Sequence, residues 1–307
     1  MASLINLENN MFVIKYRKIF YAFSAIILAI SLYGILAFGL NLGIDFKGGT
    51  LIEAELTTAP DMAALNASLA SDDLGVYSLR STGQTGVILR ARELSQAELK
   101  TVSAVFTDIG GKIIQADTVG PILGEELSRK ALWSIFYVII AIVLFISFTF
   151  RGVSRPIASW KYGAVAIVAL IHDVIVPTGV FAFLGHFKGT EIDALFITAL
   201  LVVLGFSVHD TIVVFDRTRE NLHKNHSGKK DFETIVGESV SQTFARSINT
   251  SLTTLLALAV LYAIGPAATR DFSLALLIGI TAGTYSSIFI GSPLLVTLQK
   301  FQDRKKS

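Results

Sequence analysis

The apolar positions of this 307-residue chain fall into six long stretches with one alternating region between the first two. The stretches run Ile19–Leu40, Ala131–Phe150, Tyr162–Gly185, Ile192–Phe215, Ile248–Gly265 and Phe272–Leu298. Each is near the ~20 residues a helix needs to cross ~30 Å of hydrocarbon. Between spans 1 and 2 the pattern changes. "GTLIEAEL" (Gly49–Leu56) alternates like a strand, and "PDMAALNASLA" (Pro60–Ala70) reads as a helix with Pro60 in its first turn. "GVYSLRST" (Gly75–Thr82) and "GVILRAR" (Gly86–Arg92) read as strands split by a Gly-rich turn. Ser95 and Glu98 open a second helix with a capping box, and "KIIQADTVG" (Lys112–Gly120) closes the series. The order βαββαβ is that of the ferredoxin-like unit. The fold class expected is therefore an α-helical membrane protein of six spans with a small α+β domain between helices 1 and 2.

Composition and charge sharpen this reading. Hydrophobic residues make up 52% of the chain and charged residues only 16%, against ~25% in soluble domains. Cysteine is absent, which excludes disulfides and Cys-based metal sites. The first span follows Lys15, Arg17 and Lys18, as a signal peptide would, but it is long for one and no A-x-A site follows, so it reads as retained. With the N-terminus inside, the inner segments carry Lys15, Arg17, Lys18; Arg151, Arg155, Lys161; Arg217, Arg219, Lys224, Lys229, Lys230, Arg246; and Lys300, Arg304, Lys305, Lys306. The two short outer loops carry only Lys188 and Arg270. The positive-inside rule then puts both termini in the cytoplasm. The expected organisation is 1–40 as the cytoplasmic N-terminus and first span, 41–129 as an extracytoplasmic domain, and 130–307 as spans 2–6 with a cytoplasmic loop at 216–246. Within that loop "DFETIVGESVSQTF" reads as an amphipathic surface helix.

Several polar residues sit where lipid makes them costly. His172 and Asp173 fall near the middle of span 3, and His209 and Asp210 in the inner half of span 4. An intramembrane carboxylate costs ~2.5–3.5 kcal/mol on insertion scales and normally turns inward to a partner. Gly205 and Ser207, just before Asp210, are small enough to admit a neighbouring helix. Arg246, Asn249, Thr250, Thr253 and Thr254 form a polar stripe leading into span 5, a natural partner surface for Asp210. Burial favours a neutral carboxyl and a nearby cation favours an ionised one, so Asp210 reads as a proton-carrying group and Arg246 as its counter-charge. Asp173 reads either as a second relay group or, with His172, as a tie to backbone freed by Pro177. Asp210 as an interhelical tie and Arg246 as an anchor for the inner end of span 5 are the structural alternatives. His209 lies about 100° around the helix from Asp210, so packing or a side hydrogen bond suits it better. "GIDFKGGT" (Gly43–Thr50) reads as a turn rather than a phosphate cradle, and Gly279-x-x-x-Gly283 as a close-packing face.

"GIDFKGGT", "HDVIV", "EIDALFITALLVVLGFSVHDTIVVFDRTREN" and "FSLALLIGITAGTYSSIFI" together resemble the SecD/SecF family of protein-export membrane proteins, relatives of the RND transporters. The resemblance covers nearly the whole chain. It implies a SecF-like role: with a SecD-like subunit, and beside the SecYEG channel, the SecA motor and YajC, such a subunit uses the proton gradient to draw unfolded polypeptides outward across the bacterial cytoplasmic membrane. The family's proton-site Asp falls on Asp210 and its span-5 Arg on Arg246. Many members carry Asn where this chain has His209, and Thr where it has Lys47. On this scheme protons enter past Glu191 and Asp193 at the outer end of span 4 and neutralise Asp210. The pairing with Arg246 loosens, and spans 1 and 2 carry the shift to the outer domain. Ser207, His172, His209, Asn249, Thr250 and Thr253 are supporting polar groups. No cofactor, metal, covalent chemistry or nucleic acid is expected.

Three other readings stand beside this one, the plainest a structural scaffold without proton use. An RND-like exporter of lipids or small hydrophobic molecules shares the proton logic but needs a larger outer domain. An intramembrane hydrolase with His172, Asp173, His209 and Asp210 as zinc ligands lacks H-E-x-x-H, and adjacent helical residues diverge too far to chelate together. The topology is directly testable, since the chain has no cysteine of its own. A single cysteine at Lys188 or Arg270 should react with a membrane-impermeant thiol reagent from outside intact cells. One at Lys224 should react only after permeabilisation.

Overall fold

The computed structural model describes residues 12–70, 74–75, 77–151, 158–225 and 230–304. Arg155, Lys229, Lys305 and Lys306 of the charge count, and Val76 of the expected strand, lie outside the described residues. The chain forms two compact units: residues 42–133 with 191–194, and residues 1–41, 134–190 and 195–307.

The first unit holds a sheet. A short helix α3 (Ile44–Lys47) leads into β1 (Gly49–Leu56), α4 (Met62–Leu69), β2 (Ser78–Thr82), β3 (Gly86–Ala91), α5 (Gln96–Asp108) and β4 (Gly111–Val119). The sheet order is β2-β3-β1-β4 and every pairing is antiparallel, the ferredoxin-like arrangement that the strand pattern predicts. Ile52, Ala54, Val87 and Leu89 from the sheet meet Leu65, Leu69, Val102 and Phe106 from α4 and α5 in one buried core. Alternation along β1 and β3 puts these side chains on one face, and the helices cover it. The capping box of α5 forms as expected, with Ser95 Oγ accepting from Glu98 N and the Glu98 carboxylate accepting from Ser95 N. Two local expectations shift. Asp61, not Pro60, sets the start of α4, its carboxylate accepting from Ala63 N and Ala64 N at 3.0 and 3.1 Å, because a short acidic side chain satisfies the free amides of a first turn. The "GIDFKGGT" stretch contains the one-turn helix α3, not a bare turn. Its Gly48 and Gly49 have φ of +77° and +126°, and a Cβ on Gly48 would lie 2.9 Å from Pro121 Cα.

The second unit is helical. It comprises α1 (Phe12–Lys15), α2 (Arg17–Phe38), α6 (Pro121–Thr149, whose first turns belong to the sheet unit), α7 (Ser159–Lys188), α8 (Ala194–Lys224), α9 (Phe232–Ile264), α10 (Ala267–Ser286), a π-helical turn Ser287–Gly291 and α11 (Ser292–Arg304). Six helical segments are long and apolar enough to span a membrane, the sixth being α10, the π turn and α11 together. The chain is a multi-pass membrane protein. Half of the apolar stretch is buried in α7 and in α8 and 67% in the sixth segment, against 6% in α6, so α7, α8 and α10 form the interior. Small residues allow this. A Cβ on Gly279 would lie 2.3 Å from Val203 Cγ2, one on Gly283 2.9 Å from Ser207 Cβ, and one on Gly179 2.3 Å from Ser31 Cβ. The expected close packing of span 6 is therefore made against α8, through Val203 and Ser207. Gly205 faces open space instead.

The "DFETIVGESVSQTF" stretch differs from expectation. It is not a separate surface helix but the start of α9, which runs unbroken into the fifth span. Asp231 caps it, accepting from Thr234 N. Phe232, Ile235, Val236 and Val240 are buried, and Glu233 bridges Arg17 and Lys300. The amphipathic pattern is genuine, but its apolar side finds protein.

Glu98 supplies a test of the sheet unit. Hydrogen bonds from the Arg92 side chain and from Ser95 hold its carboxyl at about 2, below the ordinary 4.5. The folded form thus prefers the ionised carboxylate, a preference present above pH 4.5 and lost as pH falls through about 2. Glu98→Gln keeps the cap acceptor without the charge. Hydrogen exchange of the α5 amides should become less acid-sensitive in that variant between these two values.

Candidate functional site

The interior helices gather the polar residues into one hydroxyl-rich layer. Asp173, on α7, is fully buried. Its Oδ2 accepts from Ser207 Oγ of α8 at 2.5 Å and from Ser286 Oγ of α10 at 2.8 Å, while Oδ1 lies 2.9 Å from His172 Nδ1. Three contacts from three helices occupy most of the roughly four acceptor positions of one carboxylate. With Nδ1–H directed at Asp173, the other imidazole nitrogen of His172 is left as an acceptor. That Nε2 is buried and has no hydrogen-bond partner among the described residues.

Asp210 lies three residues beyond Ser207 on α8 and is also buried. Its Oδ2 accepts from Ser251 Oγ of α9 at 3.3 Å, and Ser251 in turn accepts from Thr284 Oγ1 of α10 at 2.7 Å. A further chain joins the two carboxylates' surroundings. Thr211 Oγ1 and Ser287 Oγ lie 2.8 Å apart, and Ser287 Oγ donates to the Ser207 carbonyl at 3.1 Å. Ser287 opens the π-helical turn, whose own carbonyl accepts from Ser292 Oγ at 3.2 Å. Such turns recur where a helix is adapted to a function.

The Asp210–Arg246 pair expected from the sequence is not formed. Arg246, Asn249, Thr250 and Thr253 are on the exposed side of α9, and the Arg246 guanidinium has no ion-pair partner among the described residues. The reason is helical phase. Ser247 and Ser251 face the interior, and five residues at ~100° each set Arg246 about 140° away from Ser251. His209 is exposed too, one position around α8 from the buried Asp210. Histidine, arginine, asparagine and threonine thus lie on helix faces left exposed among the described residues. Glu191 and Asp193 lie in the segment that packs with the sheet unit. Glu191 pairs with Arg90 at 2.6 Å, and burial pushes its carboxyl up even though Arg90, Arg80 and Lys47 pull the other way.

Sequence reasoning missed Ser251, Thr284, Ser286 and Ser287. For the last three the signal was the density of hydroxyls in "GTYSSIFIGS", which read as architecture beside the glycines; Ser251 lies inside the polar run "NTSLTT". Both functions share one helix: Gly279 and Gly283 bring α10 against α8, Ser286 donates to Asp173, and Thr284 reaches Asp210 through Ser251.

Residues 99–301 match the family model described as protein export membrane protein SecD/SecF, C-terminal, and residues 33–60 match the SecD/SecF GG motif. The chain belongs to the SecD/SecF family. The Protein translocase subunit SecF of Thermobaculum terrenum is 40% identical over 299 residues, covering 93% of each chain. That of Sebaldella termitidis is 38% identical over 303 residues, covering 95% of this chain and 93% of its own. The crystal structure of SecDF, a translocon-associated membrane protein from Thermus thermophilus, superposes with a TM-score of 0.81 at 29% identity, over 94% of this chain and 38% of that one. This SecD/SecF family member therefore spans well under half the length of that SecDF chain. Its relatives' names and its six spans agree with a transport role in protein export. The GG-motif match takes in Gly48 and Gly49, the positions where positive φ and the approach of Pro121 demand glycine.

Removing a donor from Asp173 tests the layer. Ser286→Ala leaves one carboxylate position unfilled and should lower unfolding stability by about 1–3 kcal/mol. The measurement is thermal unfolding of the detergent-solubilised protein. An exposed-face change such as Asn249→Ala should leave stability within about 0.5 kcal/mol.

Proposed function

We propose that this chain is a SecF-like subunit that uses the proton-motive force to promote export of unfolded polypeptides across the bacterial cytoplasmic membrane, without covalent chemistry. The observation that carries this reading is the pair of buried carboxyls, Asp173 and Asp210, held by hydroxyls of α8, α9 and α10. Protons come from the outer side past Asp193, Glu191 being held by Arg90 at 2.6 Å, and neutralise Asp210. The neutral carboxyl no longer needs the same donors, so α8, α9 and α10 exchange partners through Ser251 and Thr284. Asp173, with His172 and Ser207, takes the proton onward or balances its charge. Each proton moving inward supplies ~2.3 kcal/mol per 100 mV, enough to bias a sliding unfolded chain.

The exposed polar stripe of α9, together with His209, supports a partner. A guanidinium facing lipid is costly, and the helix faces bearing Arg246, Asn249, Thr250 and Thr253 would be completed by a SecD-like subunit. That subunit, rather than this chain alone, then supplies the group that meets Arg246. The SecYEG channel and YajC are the further partners of this reading. Both termini lie in the cytoplasm and the domain of residues 41–129 outside.

Vesicles containing the chain with its SecD-like partner and the channel provide the test. An imposed pH gradient should speed polypeptide release by the wild type. Asp210→Asn should abolish that acceleration, and Arg246→Met should reduce it by at least about tenfold. Full acceleration in Asp210→Asn would leave an anchoring subunit with no proton-driven role.

A further inference from the structure

The link between α7 and α8 is held by the sheet. Residues 191–194 pack with the sheet unit. Ile192 is buried, its carbonyl accepts from Gly43 N at 2.8 Å, and it forms a parallel bridge with Leu42. Ala194, the first residue of α8, donates its N–H to Asp45 Oδ2 at 2.8 Å. An acidic side chain there meets both a free first-turn amide and the positive end of the helix. Glu191 Oε1 pairs with Arg90 Nε of β3 at 2.6 Å, with the side chains 15% and 19% exposed. The fit is close, since a Cβ on Gly43 would sit 3.2 Å from Glu191 Oε2 and 3.4 Å from the Ile192 carbonyl.

From that clamp α8 runs to Lys224 as one uninterrupted helix. It carries Ser207 and Asp210, the latter about 24 Å along the axis at 1.5 Å per residue. The other routes into the sheet unit lack one of these properties. The helix α2 ends at Phe38, followed by Gly39 at φ +70°. The helix α6 is continuous, but most of its apolar stretch is exposed and its described residues include no buried carboxylate. A stiff helix fixed at one end and rearranged near its middle moves what it is fixed to.

We propose that Glu191 and Arg90, with Asp45 at the first turn of α8, form a permanent coupling that carries a rearrangement of α8 at Asp210 to the sheet domain. Glu191 and Arg90 are then positioning residues for the transport step. This revises the route expected from the sequence, which ran through spans 1 and 2, and it rests on the proton reading of Asp210.

The test uses the same vesicles, with proton flux and polypeptide release measured together. Breaking the clamp should uncouple the two. Glu191→Ala and Arg90→Ala should keep wild-type proton flux while the gradient's acceleration of release falls by about threefold or more. The charge exchange Arg90→Glu with Glu191→Arg should restore release. So should Arg90→Cys with Glu191→Cys once bridged by a short reducible bifunctional thiol reagent, a pair that is unique because the chain has no cysteine. Reductive cleavage of that bridge should return release to the level of Glu191→Ala. Four outcomes would overturn the proposal: undiminished release in Glu191→Ala, joint loss of flux and release in it, arrest of release on bridging, or no recovery in either restored pair. Asp210→Asn separates the two ideas. If it loses flux and acceleration while Glu191→Ala loses neither, only the coupling fails. If it retains both, the proton reading fails and the coupling with it.

Discussion

A carboxylate inside a membrane bundle must be given hydrogen-bond donors by its own helices, because neither lipid nor an apolar core supplies any. Asp173 and Asp210 impose that demand twice, and much of the interior packing follows from it. Serine and threonine are the donors that fit, being small enough to sit between close helices. Ser207, Ser251, Thr284 and Ser286 each belong to a helix that must approach another closely to be of use. Gly279 and Gly283 make that approach possible between α10 and α8. Chemistry and packing are therefore not separable here, since widening the helix spacing would strand the carboxylates.

The same logic explains the faces left bare. Arg246, Asn249, Thr250 and His209 have the character of interior residues but are exposed among the described residues. Both carboxylates have hydroxyl donors within this chain, whereas Arg246 has no ion-pair partner among the described residues. The SecD-like subunit proposed above would complete these faces. The proton energy available per step is modest, so the proposed engine works by biasing a slack polypeptide rather than by pulling against a folded one.

The sheet unit adds a mechanical element to this chemistry. Its core is self-contained, and the unit also includes residues 191–194, which lead into α8. The long-range contacts of Arg90 with Glu191 and of Asp45 with Ala194 hold that segment, which is why the proposed coupling runs through it.

The six spans, the βαββαβ order, the α5 cap and the presence of two intramembrane acids were legible in the sequence, because each depends on local periodicity or on a residue type that lipid penalises. Even the starting point of α4 differed by only two residues, Met62 against Pro60, since Asp61 and Pro60 are rival signals for the same turn. What stayed hidden depends on helix rotation and on contacts far apart in the chain. Ser251 and Arg246 both lie on α9, and only packing decides which of them faces Asp210. The hydroxyls of Thr284, Ser286 and Ser287 look ordinary until α10 is set against α7 and α8. The amphipathic start of α9 announced a buried face, but not what would bury it. Local pattern fixes which elements form; the tertiary structure alone chooses their rotation and neighbours, because many side chains compete for each interior position and only simultaneous packing resolves the competition.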